Sequence, residues 1–132
     1  MNRPYPERRR EPVLILVVDD EEALRALAAA ILEDEGYEVV EAASADAALV
    51  LLGDETLAID LVFSDIQMPG RLDGCDLARW VNDHRPDLPV ILTSGRVQDD
   101  MLCAELSGYV PIERKPYRAD ALASRVREAL AH

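Results

Sequence analysis

Two kinds of apolar pattern alternate along the chain. VLILVV (Val13 to Val18) is unbroken, as in a strand covered on both faces. Leu24, Leu27, Ala28, Ile31 and Leu32 then recur at helical spacing, and Gly36 ends that helix. YEVVEA (Tyr37 to Ala42) reads as a second strand, and Ser44 as the N-cap of a helix that buries Ala48, Leu49 and Leu52. DLVFS (Asp60 to Ser64) is a third strand. Leu77, Trp80 and Val81 mark a helix that stops before Pro86. PVILTS (Pro89 to Ser94) is a fourth strand, followed by a short helix through Met101, Leu102 and Leu106 that Gly108 closes. YVPIE (Tyr109 to Glu113) is a fifth strand, and Leu122, Val126, Ala129 and Leu130 belong to a last helix.

Strands alternating with helices over short connections predict an α/β fold, a doubly wound parallel sheet of five strands. The order 2-1-3-4-5 places the fifth strand at an edge, where Pro111 removes no needed ladder donor. In such sheets ligands bind beyond the carboxyl ends of the strands, near the point where strand order reverses. Here that point lies between the first and third strands, so chemistry is to be sought at the strand ends.

Composition narrows the class. A chain of 132 residues fits one domain, read as residues 12–132 behind a leader, residues 1–11, rich in arginine and proline and without apolar periodicity. A net charge of -12 opposes direct nucleic-acid binding, which depends on clustered Lys and Arg. No stretch is long and apolar enough to span a membrane, and the leader lacks the apolar core of a signal peptide, so a cytoplasmic protein is expected. Cys75 and Cys103 have no metal-ligand spacing and fit reduced thiols.

The first strand ends in Asp19 and Asp20, and the third runs into Asp65. The fourth ends in Thr93, Ser94 and Gly95, and the fifth leads to Lys115 and Pro116. A parallel sheet gathers these residues on one rim. Taken singly, Asp20 reads as a helix N-cap and Asp19 as a solvated loop residue. Together, three converging carboxylates suit a hard divalent cation with oxygen ligands, Mg²⁺ before others. A carboxylate beside such a cation is a nucleophile toward phosphorus. Thr93 would donate to a phosphoryl oxygen, Lys115 would pair with another, and Met68-Pro69-Gly70 would turn the chain away.

VVDDEE (Val17 to Glu22), SDIQMPGRLDG (Ser64 to Gly74), VILTSG (Val90 to Gly95) and KPY (Lys115 to Tyr117), in this order, resemble the receiver domain of bacterial two-component response regulators. The resemblance covers about residues 12–131 and implies the CheY-like (βα)5 fold. It implies that Asp65 receives phosphate from a kinase histidine, that Asp19, Asp20 and Asp65 bind Mg²⁺, and that the backbone carbonyl of Gln67 adds a metal contact. It makes Thr93 the switch hydroxyl and Lys115 the phosphate-pairing lysine, with a cis peptide bond before Pro116. It further implies a sensor histidine kinase or phosphotransfer protein as partner, and an output face over the fourth helix, fifth strand and fifth helix, Val97 to Leu130. With nothing after His132, the expectation is a stand-alone receiver, the alternative being a receiver cut from a larger hybrid kinase or regulator.

The chain departs from that family's pattern in three places. MPGRLDG holds one residue more than the usual turn, the usual aromatic switch position is Ile112, and Gly95 puts no side chain two positions after Thr93. His84 reads as a helix-end residue favoured by the dipole, Trp80 as core packing, and Tyr117 as packing under the last helix. A phospho-independent interaction module is the competing class, opposed by the complete set of acids, Thr93 and Lys115. A flavodoxin-like carrier is opposed by Asp19, Asp20 and Glu21, which would repel a flavin phosphate. A haloacid-dehalogenase-type phosphatase would need a second acid two residues after its nucleophile and a cap domain.

Overall fold

A computed structural model of the chain describes residues 12–95, 112–115 and 118–131. The five strands are β1 (Leu14–Val18), β2 (Glu38–Ala42), β3 (Leu61–Asp65), β4 (Val90–Ser94) and β5 (Ile112–Arg114). They form one sheet in the order β2-β1-β3-β4-β5, and every neighbouring pair is parallel. The described helices are α1 (Glu22–Asp34), α2 (Ala45–Leu52), α3 (Gly74–His84) and α4 (Ala119–Leu130). The short helix expected through Met101 to Leu106, the arginine-rich leader, Pro111, the cis bond expected before Pro116, and Tyr117 lie outside the described residues.

The unbroken apolar runs are explained by burial on both faces of the sheet. On one face Leu16, Val18, Val62 and Leu92 pack with Ala48 and Leu52 of α2 and Leu77, Ala78 and Val81 of α3. On the other, Ile15, Val17, Leu61, Phe63 and Ile91 pack with Ala28 and Leu32 of α1 and Leu122 and Val126 of α4. Successive strand residues therefore serve opposite cores, so no polar position interrupts them.

The helix assignments are corrected in detail. Leu27 is half-exposed, and α1 buries Ala28, Ala29 and Leu32, because its contact stripe is narrower than the apolar pattern. In α2 the buried residues are Ala45, Ala48 and Leu52, with Leu49 only partly covered. Trp80 is half-buried against the core and stacks on His84, whose Nδ1 lies 2.9 Å from the Trp80 carbonyl oxygen. Cys75 is buried and disulfide-bonded, which overturns its reading as a reduced thiol. A two-cysteine sequence does not reveal which thiols the fold brings into reach, and Cys103 lies outside the described residues.

Local signals fix the helix ends. Gly36 takes φ +96°, a left-handed conformation that ends α1 with little strain for glycine. Ser44 Oγ accepts from the Ala47 N–H at 3.0 Å as the N-cap of α2. Ser44→Ala is expected to cost about 1 kcal/mol in urea denaturation, and Ser44→Asp to cost nearly nothing. Equal losses from both variants would contradict a capping role.

Candidate functional site

The register builds the site. Val18 pairs with Ser64, Asp65 with Thr93, and Ser94 with Arg114, so β1, β3, β4 and β5 finish on one rim. Asp65 is the last residue of β3 and lies beside buried Thr93. Asp19 and Asp20 follow β1, and Lys115 follows β5, its N–H donating to the Ser94 carbonyl at 2.8 Å.

One carboxylate oxygen from each of Asp19, Asp20 and Asp65 lies within 4.8 Å of the others, with Asp19 and Asp65 buried and Asp20 exposed. At such separations an effective dielectric of about 20 gives roughly 3 kcal/mol of repulsion per ionised pair. Lys115 offsets part of it: its Nζ lies 3.3 Å from Asp19 Oδ2 and 3.2 Å from Asp65 Oδ2. Three carboxylates against one ammonium still leave a deficit of two positive charges. An all-oxygen donor set with that deficit fits a hard divalent cation.

Burial raises the Asp65 carboxyl to about 6, with the nearby Asp19 charge adding to the rise. The Lys115 charge and the Gln67 backbone N–H, which donates to this carboxyl, pull the other way without prevailing. Burial pulls the Lys115 ammonium down, but attraction from Asp65 and Asp19 outweighs it and its pKa rises. The backbone contact seen at Gln67 is thus from its N–H to Asp65, and its side chain is exposed.

The long turn after β3 is anchored at several points. Ile66 and Met68 are buried, and Gly70 reverses the chain at φ +111°. Exposed Arg71 pairs with Asp46 at 3.3 Å, and Leu72 packs against the core. Asp73 and Asp76 form a reciprocal capping box at the start of α3. The additional residue is accommodated with α3 held against β3.

Two residues that the sequence reading did not single out shape the site. Gly74 begins α3 so close to β3 that its N–H donates to the Ile66 carbonyl at 2.8 Å. Arg25 reaches from α1 to the Asp19 carbonyl at 2.9 Å. The hint for Gly74 was a glycine directly after a good N-cap; for Arg25 it was a lone cation on the otherwise apolar and acidic first helix.

The receiver resemblance is borne out by comparison with known proteins. The family model described as "Response regulator receiver domain" matches residues 15–127. The nitrogen assimilation regulatory protein NtrX of Azorhizobium caulinodans is 37% identical over 118 residues, 88% of this chain and 26% of that protein. The sensor kinase CckA of Brucella abortus is 36% identical over 120 residues, again 88% of this chain but 12% of that protein. The chain thus spans about a quarter or less of these curated relatives. Among solved structures, the receiver domain of NtrX from Brucella abortus superposes with a TM-score of 0.79 at 39% identity, over 89% of this chain and 98% of that one. A response regulator receiver protein from Sinorhizobium medicae gives 0.83 at 30% identity, over 92% and 96%. With the sheet order, the acidic rim and these matches in agreement, the chain belongs to the response regulator receiver domain family, the phosphorylatable switches of two-component signalling.

Proposed function

We propose that this domain is a Mg²⁺-dependent phosphoacceptor in a histidine-to-aspartate phosphorelay, with Asp65 as the acceptor. The observation that carries the reading is the meeting of Asp19, Asp20 and Asp65 around an ammonium that bridges two of them. Asp19, Asp20 and Asp65, with the Gln67 carbonyl, are the groups that would hold Mg²⁺. Bound there, the ion would neutralise charge on the incoming phosphoryl oxygens.

An Asp65 carboxylate oxygen attacks phosphorus, a P–O bond forms, and the P–N bond of the donor phosphohistidine breaks. The electron pair returns to the imidazole, which takes up a proton. Lys115 holds Asp65 beforehand and pairs with a phosphoryl oxygen afterwards. Thr93, adjacent to Asp65 across the sheet, donates its hydroxyl to another. A group of about -2 charge on the rim then biases the equilibrium between two arrangements. The output face is placed at Val97 to Leu130, of which β5 and α4 fall largely within the described residues.

Similarity to both a regulator and a sensor kinase supports a histidine kinase or phosphotransfer protein as phosphodonor and a protein as output partner. The share of those relatives that the chain spans favours a receiver that works joined to other domains over the stand-alone reading. No described helix is long and apolar enough to cross a membrane.

The test is intact mass after incubation with acetyl phosphate, with Mg²⁺ or with EDTA. A gain of about 80 Da, the mass of one phosphoryl group, is expected with Mg²⁺ only, and none in Asp65→Asn. Labelling that persists in Asp65→Asn would remove Asp65 from the acceptor role.

A further inference from the structure

We infer that Arg25 is a positioning residue for the acidic pocket, acting on Asp19 through its backbone; the inference rests on the reading of that pocket as a Mg²⁺ site. β1 ends at Val18, and the last link of this edge to β2 is the Asp19 N–H, which donates to the Ala42 carbonyl at 3.1 Å. Beyond Asp19 the chain leaves the sheet. Its turn into α1 is closed by the Glu21 N–H donating to Asp19 Oδ1 at 2.9 Å, while the N-cap Glu21 makes no side-chain cap.

Arg25 supplies the tie from α1 back to both strands. Its Nη1 donates to the Asp19 carbonyl oxygen at 2.9 Å, and its Nε donates to Glu41 Oε1 at 2.9 Å. Glu41 stands beside Val17 in the register, one residue before Ala42. A single guanidinium, only 17% exposed in its side chain, thus ties the first turns of α1 to the ends of both β1 and β2. Asp19 is gripped at its N–H by β2 and at its carbonyl by α1, while its Oδ1 accepts from the Glu21 N–H at 2.9 Å. The Asp19–Asp20 peptide is oriented by that grip. Asp20 is exposed, so the backbone rather than packing aims its carboxylate at the pocket.

The sign of the effect separates this role from electrostatics. An arginine near a cation site repels the cation, so losing its charge alone would tighten Mg²⁺ binding. Losing the orientation of two ligands weakens it, by about 10–100-fold for groups that orient metal ligands.

The experiment titrates Mg²⁺ by calorimetry into wild type, Arg25→Ala and Arg25→Lys, and measures acetyl phosphate labelling against Mg²⁺ concentration. Arg25→Ala is expected to weaken Mg²⁺ binding about 10-fold or more and to raise the half-saturating Mg²⁺ in step, with the labelling rate at saturation within about twofold of wild type. Arg25→Lys, which keeps the charge and one donor but not the two-point hold, should fall between them. Binding by Arg25→Ala as tight as wild type, or tighter, overturns the inference, as does a loss confined to the saturated rate. If Arg25→Ala does not fold, Arg25→Lys decides: about threefold weakening supports the role and no change overturns it. A wild type that binds no Mg²⁺ overturns the reading of the pocket itself, a result distinct from equal binding by the variants.

Discussion

Asp65→Asn is expected to stabilise the metal-free domain by about 2 kcal/mol at pH 8 and by almost nothing at pH 4. Burial, reinforced by Asp19, holds the Asp65 carboxyl at about 6 in the folded state, against an ordinary value of 3.8. A carboxyl raised on folding contributes stability that is complete below its unfolded pKa. That contribution is lost as pH rises through the folded one. Wild type therefore weakens between about pH 4 and pH 6, and above that range it carries a cost set by two pKa units, at most about 3 kcal/mol. That cost is already net of the attraction from Lys115 at 3.2 Å, and the amide, with one acceptor oxygen where the carboxylate has two, gives back part of it, so the net gain is about 2 kcal/mol.

Lys115→Met should act in the opposite direction at pH 8, since it leaves the carboxylates without the ammonium that bridges two of them. Mg²⁺ should narrow or reverse the order of wild type and Asp65→Asn, because a ligand of the folded state stabilises it in proportion to ln(1 + [L]/Kd), and the asparagine has one anionic ligand fewer. Urea denaturation in EDTA at both pH values, repeated in Mg²⁺, measures all of this. A stabilisation as large at pH 4 as at pH 8 would show that ionisation of Asp65 is not its source.

The strands were legible because each carries its burial in its own residues: Val13 to Val18 and Leu61 to Phe63 have no polar position to misplace. The acids were legible by a topological rule, since a parallel sheet gathers its strand ends whatever their separation along the chain. Contacts between elements were not. The hold of Arg25 on Asp19 depends on Glu41, 16 positions away in another strand, and no periodicity encodes such a pair. Leu27 fitted the helical pattern yet faces partly outward, because periodicity gives an apolar stripe and not the width of the surface that covers it. Cys75 read as a free thiol for the same reason: pairing follows from tertiary approach and not from composition. The departures at Gly95 and in MPGRLDG were visible as letters, but only the fold shows that the longer turn still delivers Asp73 to cap α3.

Gly74→Ala is expected to destabilise the domain by about 3 kcal/mol or more, with the phosphoacceptor strand disturbed in the same step. A Cβ at this position would stand 2.1 Å from the Asp65 carbonyl oxygen, 2.8 Å from the Ile66 Cα and 2.9 Å from the Asp65 carbonyl carbon. All three are backbone atoms, so no rotamer change relieves the overlap. Either α3 backs away from the sheet or the end of β3 moves. The first course breaks the hydrogen bond from the Gly74 N–H to the Ile66 carbonyl and loosens the packing of Leu77 and Ala78. The second displaces Asp65 from Asp19 and Lys115. Gly95 is the control: among the described residues a Cβ there meets only the Lys115 Cδ at 3.9 Å, an ordinary contact, so Gly95→Ala should change stability by less than about 1 kcal/mol. Urea denaturation ranks the two variants, and acetyl phosphate labelling reports on the site: a folded Gly74→Ala should label more slowly than wild type at saturating Mg²⁺. Equal stability of the two alanine variants would mean that α3 can slide without penalty, and the close approach of Gly74 to Asp65 would then not be what holds the acceptor at the rim.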